Sequence, residues 1–280
     1  MNEPNRVDRV ATTPAARIHA GAPSSARWFP AWQRQPAPRL RLICFPYAGG
    51  HANAFATWAG DLGPTTEVRA LQLPGRGARY SEKTVDDLDE LLDAIEPHVP
   101  WLTESPYALF GHSLGGIVAF ELARRLRHLG APPPLHLYIS SASIPERIGE
   151  VDPLHHLPDG EFVAQLRDLG GTPEEVFAHP DLMAVVLPAL RSDFRMLERW
   201  ETPAEPPLTV PMTVLGGRVD RRVPLGELAH WRRHAGGAFA ARIFEGDHFY
   251  LGPARAAVTA VIRDSLVDSW FSLRDEAVSP

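Results

Sequence analysis

Phe110-Gly111-His112-Ser113-Leu114-Gly115-Gly116 decides the fold of this chain. It places a glycine two residues either side of a serine, the G-x-S-x-G pattern of a nucleophile elbow. The pattern is a pentapeptide that chance can supply, so its surroundings matter. The apolar run Tyr107–Phe110 ahead of it has strand character, and Ile117–Leu129 behind it has helical spacing. Strand, tight turn and helix together are what the motif requires. Ser113 then sits on a strained turn with its hydroxyl above a sheet edge. Gly111 and Gly115 let the neighbouring backbone pass closely. The helix that begins just after Ser113 favours negative charge there.

Working outward, short apolar runs alternate with longer amphipathic ones. Leu40–Pro46 reads as a buried strand, followed by the turn Tyr47-Ala48-Gly49-Gly50. Strands are also expected at Val68–Leu73, Leu135–Ser140, Met212–Leu215 and Ala240–Phe244. Helices are expected at Ala54–Leu62, Val85–Val99, Leu225–His234 and Arg255–Phe271. Such alternation predicts a mostly parallel central sheet with helices on both faces, and with the elbow it points to the α/β-hydrolase fold. Glu161–Leu169, Glu174–Phe177 and Leu182–Glu198 are helical with no strand among them, so a helical lid is expected over about 150–202. Residues 1–25 lack periodicity and are expected to be a disordered tail, leaving 26–280 as one domain. Trp28, Phe29 and Trp32 should pack the segment before the first strand onto the body.

A serine hydroxyl needs a base, and in this fold the order along the chain is Ser, Asp/Glu, His. Of the 12 histidines, His248 alone follows a late strand, at Glu245-Gly246-Asp247-His248-Phe249. His155, His156 and His179 fall in the lid, His230 and His234 on a helix face, and His112 is expected to point away on the turn. Asp220 follows the strand Met212–Leu215 and precedes His248 by 248 − 220 = 28 residues, room for one helix and one strand. Asp247 is a rival acid hampered by adjacency to the histidine, and the loop Ser141-Ala142-Ser143 carries no carboxylate. The charge that develops in acyl transfer needs backbone donors. Leu114 N–H follows from the motif; Ala48 N–H is the second candidate, with Tyr47 its competitor.

The composition narrows the alternatives. Over 280 residues the chain is 44% hydrophobic and 22% charged with a formal net charge of −6, which gives no reason to expect nucleic acid as a partner. Lys83 is the single lysine, and the remaining positive side chains are arginines. Cys44 is the single cysteine, so no internal disulfide forms. No run reaches the ~20 apolar residues of a membrane span, and no signal-peptide pattern opens the chain; a cytoplasmic protein is expected. The pattern calls for no metal or cofactor.

Beyond the elbow, four more segments carry a resemblance: Phe45-Pro46-Tyr47-Ala48-Gly49-Gly50, Leu73-Pro74-Gly75-Arg76, Leu215-Gly216-Gly217 with Asp220, and Gly246-Asp247-His248-Phe249. In unbroken order from about 39 to 270, the chain resembles the stand-alone type II thioesterases of polyketide and non-ribosomal peptide synthesis. That resemblance implies hydrolysis of acyl groups from the phosphopantetheine of an acyl or peptidyl carrier protein, in an editing role, with acyl-CoA as a possible surrogate. It also implies Ser113 as nucleophile, His248 as base, Asp220 as acid, and Ala48 and Leu114 as oxyanion donors. His51 departs from the small residue usual after the double glycine. Leu154, Phe162, Leu166, Met183, Val186 and Leu190 are candidates to line an acyl pocket under the lid. Arg76, Arg79, Arg218, Arg221 and Arg222 are candidates to meet an acidic carrier surface. A carboxylesterase or lipase acting on free oxyesters, and a non-catalytic hydrolase-fold binding protein, are the alternatives.

Overall fold

The computed structural model describes residues 25–32, 38–150 and 152–276. All of the expected 1–25 tail except Ser25 lies outside them. The strands are β1 (Leu40–Phe45), β2 (Thr66–Ala70), β3 (Tyr107–His112), β4 (Leu137–Ser140), β5 (Met212–Gly217) and β6 (Phe239–Phe244). Helices α1 (Ser25–Trp28), α2 (Trp58–Leu62), α3 (Leu88–Ile95), α4 (Val99–Leu102) and α5 (Leu114–His128) belong to the first half. The rest are α6 (Asp159–Leu169), α7 (Glu174–Ala178), α8 (Pro180–Glu198), α9 (Leu225–Leu228) and α10 (Arg255–Glu276). None of the described helices is long and apolar enough to cross a membrane.

The six strands form one sheet in the order β2-β1-β3-β4-β5-β6, and every pairing is parallel. Side chains alternate across it, as the strand period of two demands. Ile43 and Phe45 of β1, with Leu109 of β3 and Ile139 of β4, point into the core shared with α3 and α5. Leu40, Leu42 and Cys44, with Phe110 and Tyr138, point into the opposite core, against residues of α2 and α10. Burial on both faces explains why these strands read as continuous apolar runs. Phe29 is fully buried ahead of β1, as expected, whereas Trp32 is 41% exposed.

The strand order reverses between β1 and β3, and the crevice beyond their carboxyl ends is where an open parallel sheet binds ligands. The loop after β1 and the turn after β3 meet there. Three expected helices are broken: Ala54–Leu62 becomes a 3₁₀ turn at Ala52–Phe55 followed by α2, Val85–Val99 becomes α3, a 3₁₀ turn and α4, and Leu225–His234 becomes α9 followed by a 3₁₀ helix at Ala229–His234. In the second, Pro97 and Pro100 each lack the N–H that would continue one helix. Helices α6, α7 and α8 lie between β4 and β5, with no strand there among the described residues, and Phe162, Leu166, Leu190 and Phe194 form a small core of their own.

Candidate active site

The turn after β3 is built by its glycines. A Cβ at Gly111 would lie 1.9 Å from the Gly115 carbonyl oxygen, and one at Gly115 would lie 2.0 Å from that of Phe45. Only glycine permits such approaches. Ser113 adopts φ 55° and ψ −120°, a strained conformation for a residue with a side chain. The turn is held by Ser113 N–H donating to the Ser140 carbonyl at 2.8 Å and by Gly116 N–H donating to the Ser113 carbonyl at 2.8 Å.

His248 and Asp220 reach this point from the loops after β6 and β5. His248 Nδ1 lies 2.9 Å from Asp220 Oδ2, with both residues buried. The other carboxylate oxygen accepts from Arg222 N–H at 2.9 Å and Val223 N–H at 3.0 Å. Burial alone would raise the Asp220 pKa. The hydrogen bond and charge of His248, with Val223 N–H and the nearby Ser141 hydroxyl, outweigh it and hold Asp220 down at about 2. An ionised acceptor at Nδ1 keeps the proton there and leaves Nε2 free to act as a base. The loops are pressed together at Gly217, where a Cβ would lie 2.1 Å from the Asp247 carbonyl oxygen. Asp247 itself is exposed and accepts from Phe249 N–H at 2.9 Å, so it serves its own turn.

Ser113 and His248 line one pocket. Among the described residues Ser113 Oγ has no hydrogen-bond partner, and such bonds commonly tighten only when substrate fills a site. Ala48 borders the same pocket, and neither its N–H nor that of Leu114 is bound to a protein acceptor among the described residues. Leu114 opens α5, where the first amides have no partner within the helix.

The pocket offers about 20 Å³ in this conformation, room for about one water. Ligand pockets measure roughly 300–1,000 Å³, so an acyl chain does not fit it without movement of its walls. Of the expected lining residues, Leu166 and Leu190 border the pocket. Leu154, Phe162 and Val186 instead pack within the lid's own core, and Met183 is buried away from the pocket. Tyr47, Leu169, Gly170, Gly171, Thr172, Phe194, Arg222 and Phe249 line it as well and were not foreseen. The Tyr47-Ala48 turn and the Gly-Asp-His-Phe segment gave a signal for Tyr47 and Phe249, both adjacent to candidate site residues; Arg222 was singled out only as a surface contact, and nothing in sequence marked the rest.

Other expectations are corrected. Arg76 and Arg79 are buried at 5% and 4% exposure and cannot meet a partner's surface. Arg76 is paired with Asp193, and Arg79 with Glu82, over the Trp28 ring. Arg218 is at the surface but paired with Glu245, Arg221 is exposed, and Arg222 faces the pocket. His51 is half-buried and does not line the pocket; burial and then the Arg76 cation lower its pKa, partly offset by Asp193. His112 does not point away: its ring is fully buried 5.2 Å from that of His248.

A parallel sheet with a strained serine after its third strand, and a buried His–Asp pair converging from later loops, defines an α/β-hydrolase of the serine-hydrolase kind. Residues 40–266 match the family model of the thioesterase domain, and the chain belongs to that family. It is 37% identical to the thioesterase PikA5 of Streptomyces venezuelae, over 87% of this chain and 86% of that one. It is 36% identical to the gramicidin S biosynthesis protein GrsT of Aneurinibacillus migulanus, over 80% and 88%. Among solved structures, the type II thioesterase BorB from the borrelidin biosynthetic cluster is 38% identical with a TM-score of 0.78, covering 85% of this chain and 97% of that one.

Proposed function

We propose that this thioester hydrolase is a type II editing enzyme, which removes acyl groups from the phosphopantetheine arm of acyl or peptidyl carrier proteins in polyketide or non-ribosomal peptide synthesis. The observation that supports this reading is that Ser113 and His248 border one pocket and His248 is hydrogen-bonded to Asp220, in a chain that aligns with PikA5 and BorB over most of its length. Ser113 Oγ attacks the thioester carbonyl while His248 takes its proton and Asp220 stabilises the imidazolium. The N–H groups of Ala48 and Leu114 receive the oxyanion. His248 then protonates the departing thiol, and a water activated by the same imidazole releases the acid. The enzyme acts in the cytoplasm on carrier-bound substrate, as one domain over 26–280 whose segment 150–202 is the lid; acyl-CoA serves as a surrogate.

The test compares one acyl group presented on carrier protein, on coenzyme A and as a small aryl ester. Thioester preference, abolished by Ser113→Ala, is expected. Preference for the oxyester, or turnover by Ser113→Ala equal to that of the parent, would overturn the reading.

A further inference from the structure

Arg222 stands on the wall of the Ser113 pocket, two residues along from Asp220. Its backbone is tied to the loops after β5 and β6: its N–H donates to Asp220 Oδ1 at 2.9 Å, and Oδ2 of the same carboxylate is 2.9 Å from His248 Nδ1. Movement of the lid wall therefore leaves Arg222 beside Asp220 and His248. The side chain is half-buried and lies against Phe194, its guanidinium carbon 5.6 Å from the ring centroid. Phe194 lines the same pocket, with the apolar Leu166, Leu169, Leu190 and Phe249.

The guanidinium has no hydrogen-bond or ion-pair partner among the described residues. Such a group carries several N–H donors, no acceptor and a permanent charge. Water satisfies those donors while the group is half-exposed. An acyl chain that fills the pocket displaces that water and must supply an acceptor in its place.

The charges around Arg222 decide which acceptor fits. Burial lowers its pKa, and the carboxylates of Asp220 and then Glu198 act the other way. Both carboxylates are engaged by other donors. Asp220 also accepts from Val223 N–H at 3.0 Å. Glu198 accepts from Leu154 N–H at 2.8 Å and His155 N–H at 3.1 Å, and its Oε2 lies 2.5 Å from His155 Nδ1. They offset the charge of Arg222 without occupying its side-chain donors. A carboxylate on the acyl chain would enter as a third negative group, and a hydrocarbon chain would leave the donors unsatisfied. A neutral carbonyl oxygen satisfies them and adds no charge.

We propose that Arg222 selects acyl groups that carry a neutral carbonyl oxygen along the chain, a ketone or an amide beyond the thioester, by donating to that oxygen from its guanidinium. The assignment rests on the thioesterase reading above and names a substrate class within it.

The experiment measures kcat/KM for pantetheine thioesters of 3-oxobutyrate and 5-oxohexanoate. Each is set beside its hydrocarbon counterpart, butyrate or hexanoate, and its anionic isostere, malonate or glutarate. The enzymes are the parent, Arg222→Met and Arg222→Lys. The ratio of ketone to hydrocarbon is the readout, because the intrinsic reactivity of each thioester and any general damage to turnover cancel between enzymes. In Arg222→Met the ratio should fall about tenfold in at least one pair, with Arg222→Lys keeping part of it. A ratio unchanged in both pairs overturns the proposal. So does a larger loss for either anionic isostere than for its ketone, because the site would then take an anion. Should Arg222→Met not fold, the parent decides. In at least one pair its ratio should exceed that of uncatalysed hydrolysis at the same pH, and equal ratios in both pairs overturn the proposal. Failure of the underlying reading looks different: the parent would then hydrolyse none of these thioesters in a Ser113-dependent way.

Discussion

Arg76 grips Asp193 through two hydrogen bonds, 2.5 Å from Nη1 to Oδ2 and 2.6 Å from Nη2 to Oδ1. The same Oδ2 accepts from Gly49 N–H at 2.6 Å. One carboxylate on α8 thus ties the lid to both the Leu-Pro-Gly-Arg segment and the loop after β1. Leu190, one turn earlier on α8, rests on Gly49, where a Cβ would lie 2.4 Å from its Cδ2. The α8 side of the lid is clamped to the body. Leu166, Leu169, Gly170, Gly171 and Thr172, the lid residues on the pocket wall outside α8, carry no charged side chain that could make such a tie.

Removing one partner of this buried pair strands the other charge. Asp193→Ala should lower unfolding stability by about 3–5 kcal/mol in urea titrations. Asp193 holds Gly49 N–H, which is not one of the two proposed oxyanion donors, so turnover per folded molecule should stay within about tenfold of the parent. A larger loss, matching that of Ser113→Ala, would give Asp193 a direct part in the reaction.

Asp220→Asn keeps the shape of the site and removes the charge that holds the His248 proton on Nδ1. A fall in kcat of about 10⁴ at pH 7, with KM little changed, is expected. Steady-state kinetics on one acyl-carrier substrate measures it; a loss below tenfold would show that another group orients His248.

The close approaches at the elbow make a paired stability test. Gly111→Ala or Gly115→Ala drives a methyl into backbone carbonyls less than 2.1 Å away, and either should destabilise by more than 3 kcal/mol or prevent folding. Gly60 lies within α2, and a methyl added there would meet nothing within 4 Å. Gly60→Ala should instead raise stability by about 0.5–1 kcal/mol. Thermal melts of the variants separate the two outcomes.

His136 gives the fold a pH dependence. Burial lowers its pKa to about 4, and it stacks on Tyr138 at 4.3 Å with Nε2 2.8 Å from Thr213 Oγ1. Between its unfolded value near 6.5 and about 4, the unfolded chain takes a proton that the folded chain refuses. Stability is therefore full above the unfolded value and declines as pH falls towards 4, by up to about 3 kcal/mol. Urea unfolding at pH 7, 5.5 and 4.5 should show the decline, and His136→Gln should flatten it; an equal slope in the variant would place the titration elsewhere.

Local chemistry made much of this molecule legible. Ser113 could be found because an elbow needs Gly111 and Gly115 at fixed offsets, and a buried parallel strand must be apolar on both faces. The pairing of His248 with Asp220 was legible as a candidate because both stand in loops after late strands, at the sheet edge where the elbow lies. The lid's helices were visible in their periodicity, but which of their faces met Ser113 was not. Leu166 and Phe162 share one helix and the same apolar character; only packing put the first on the pocket and the second inside the lid.

The succession of strands along the chain, the elbow turn and the candidates for nucleophile, base and acid were legible in short-range patterns, because each was read from residues within a few positions of itself. The burial of Arg76 against Asp193, 117 residues away, the seat of His112 beside His248, and the contact of Phe249 with Gly171 were set only when distant segments packed. A side chain's partner across the fold is chosen by the shape that whole elements make together, and no local spacing encodes that shape.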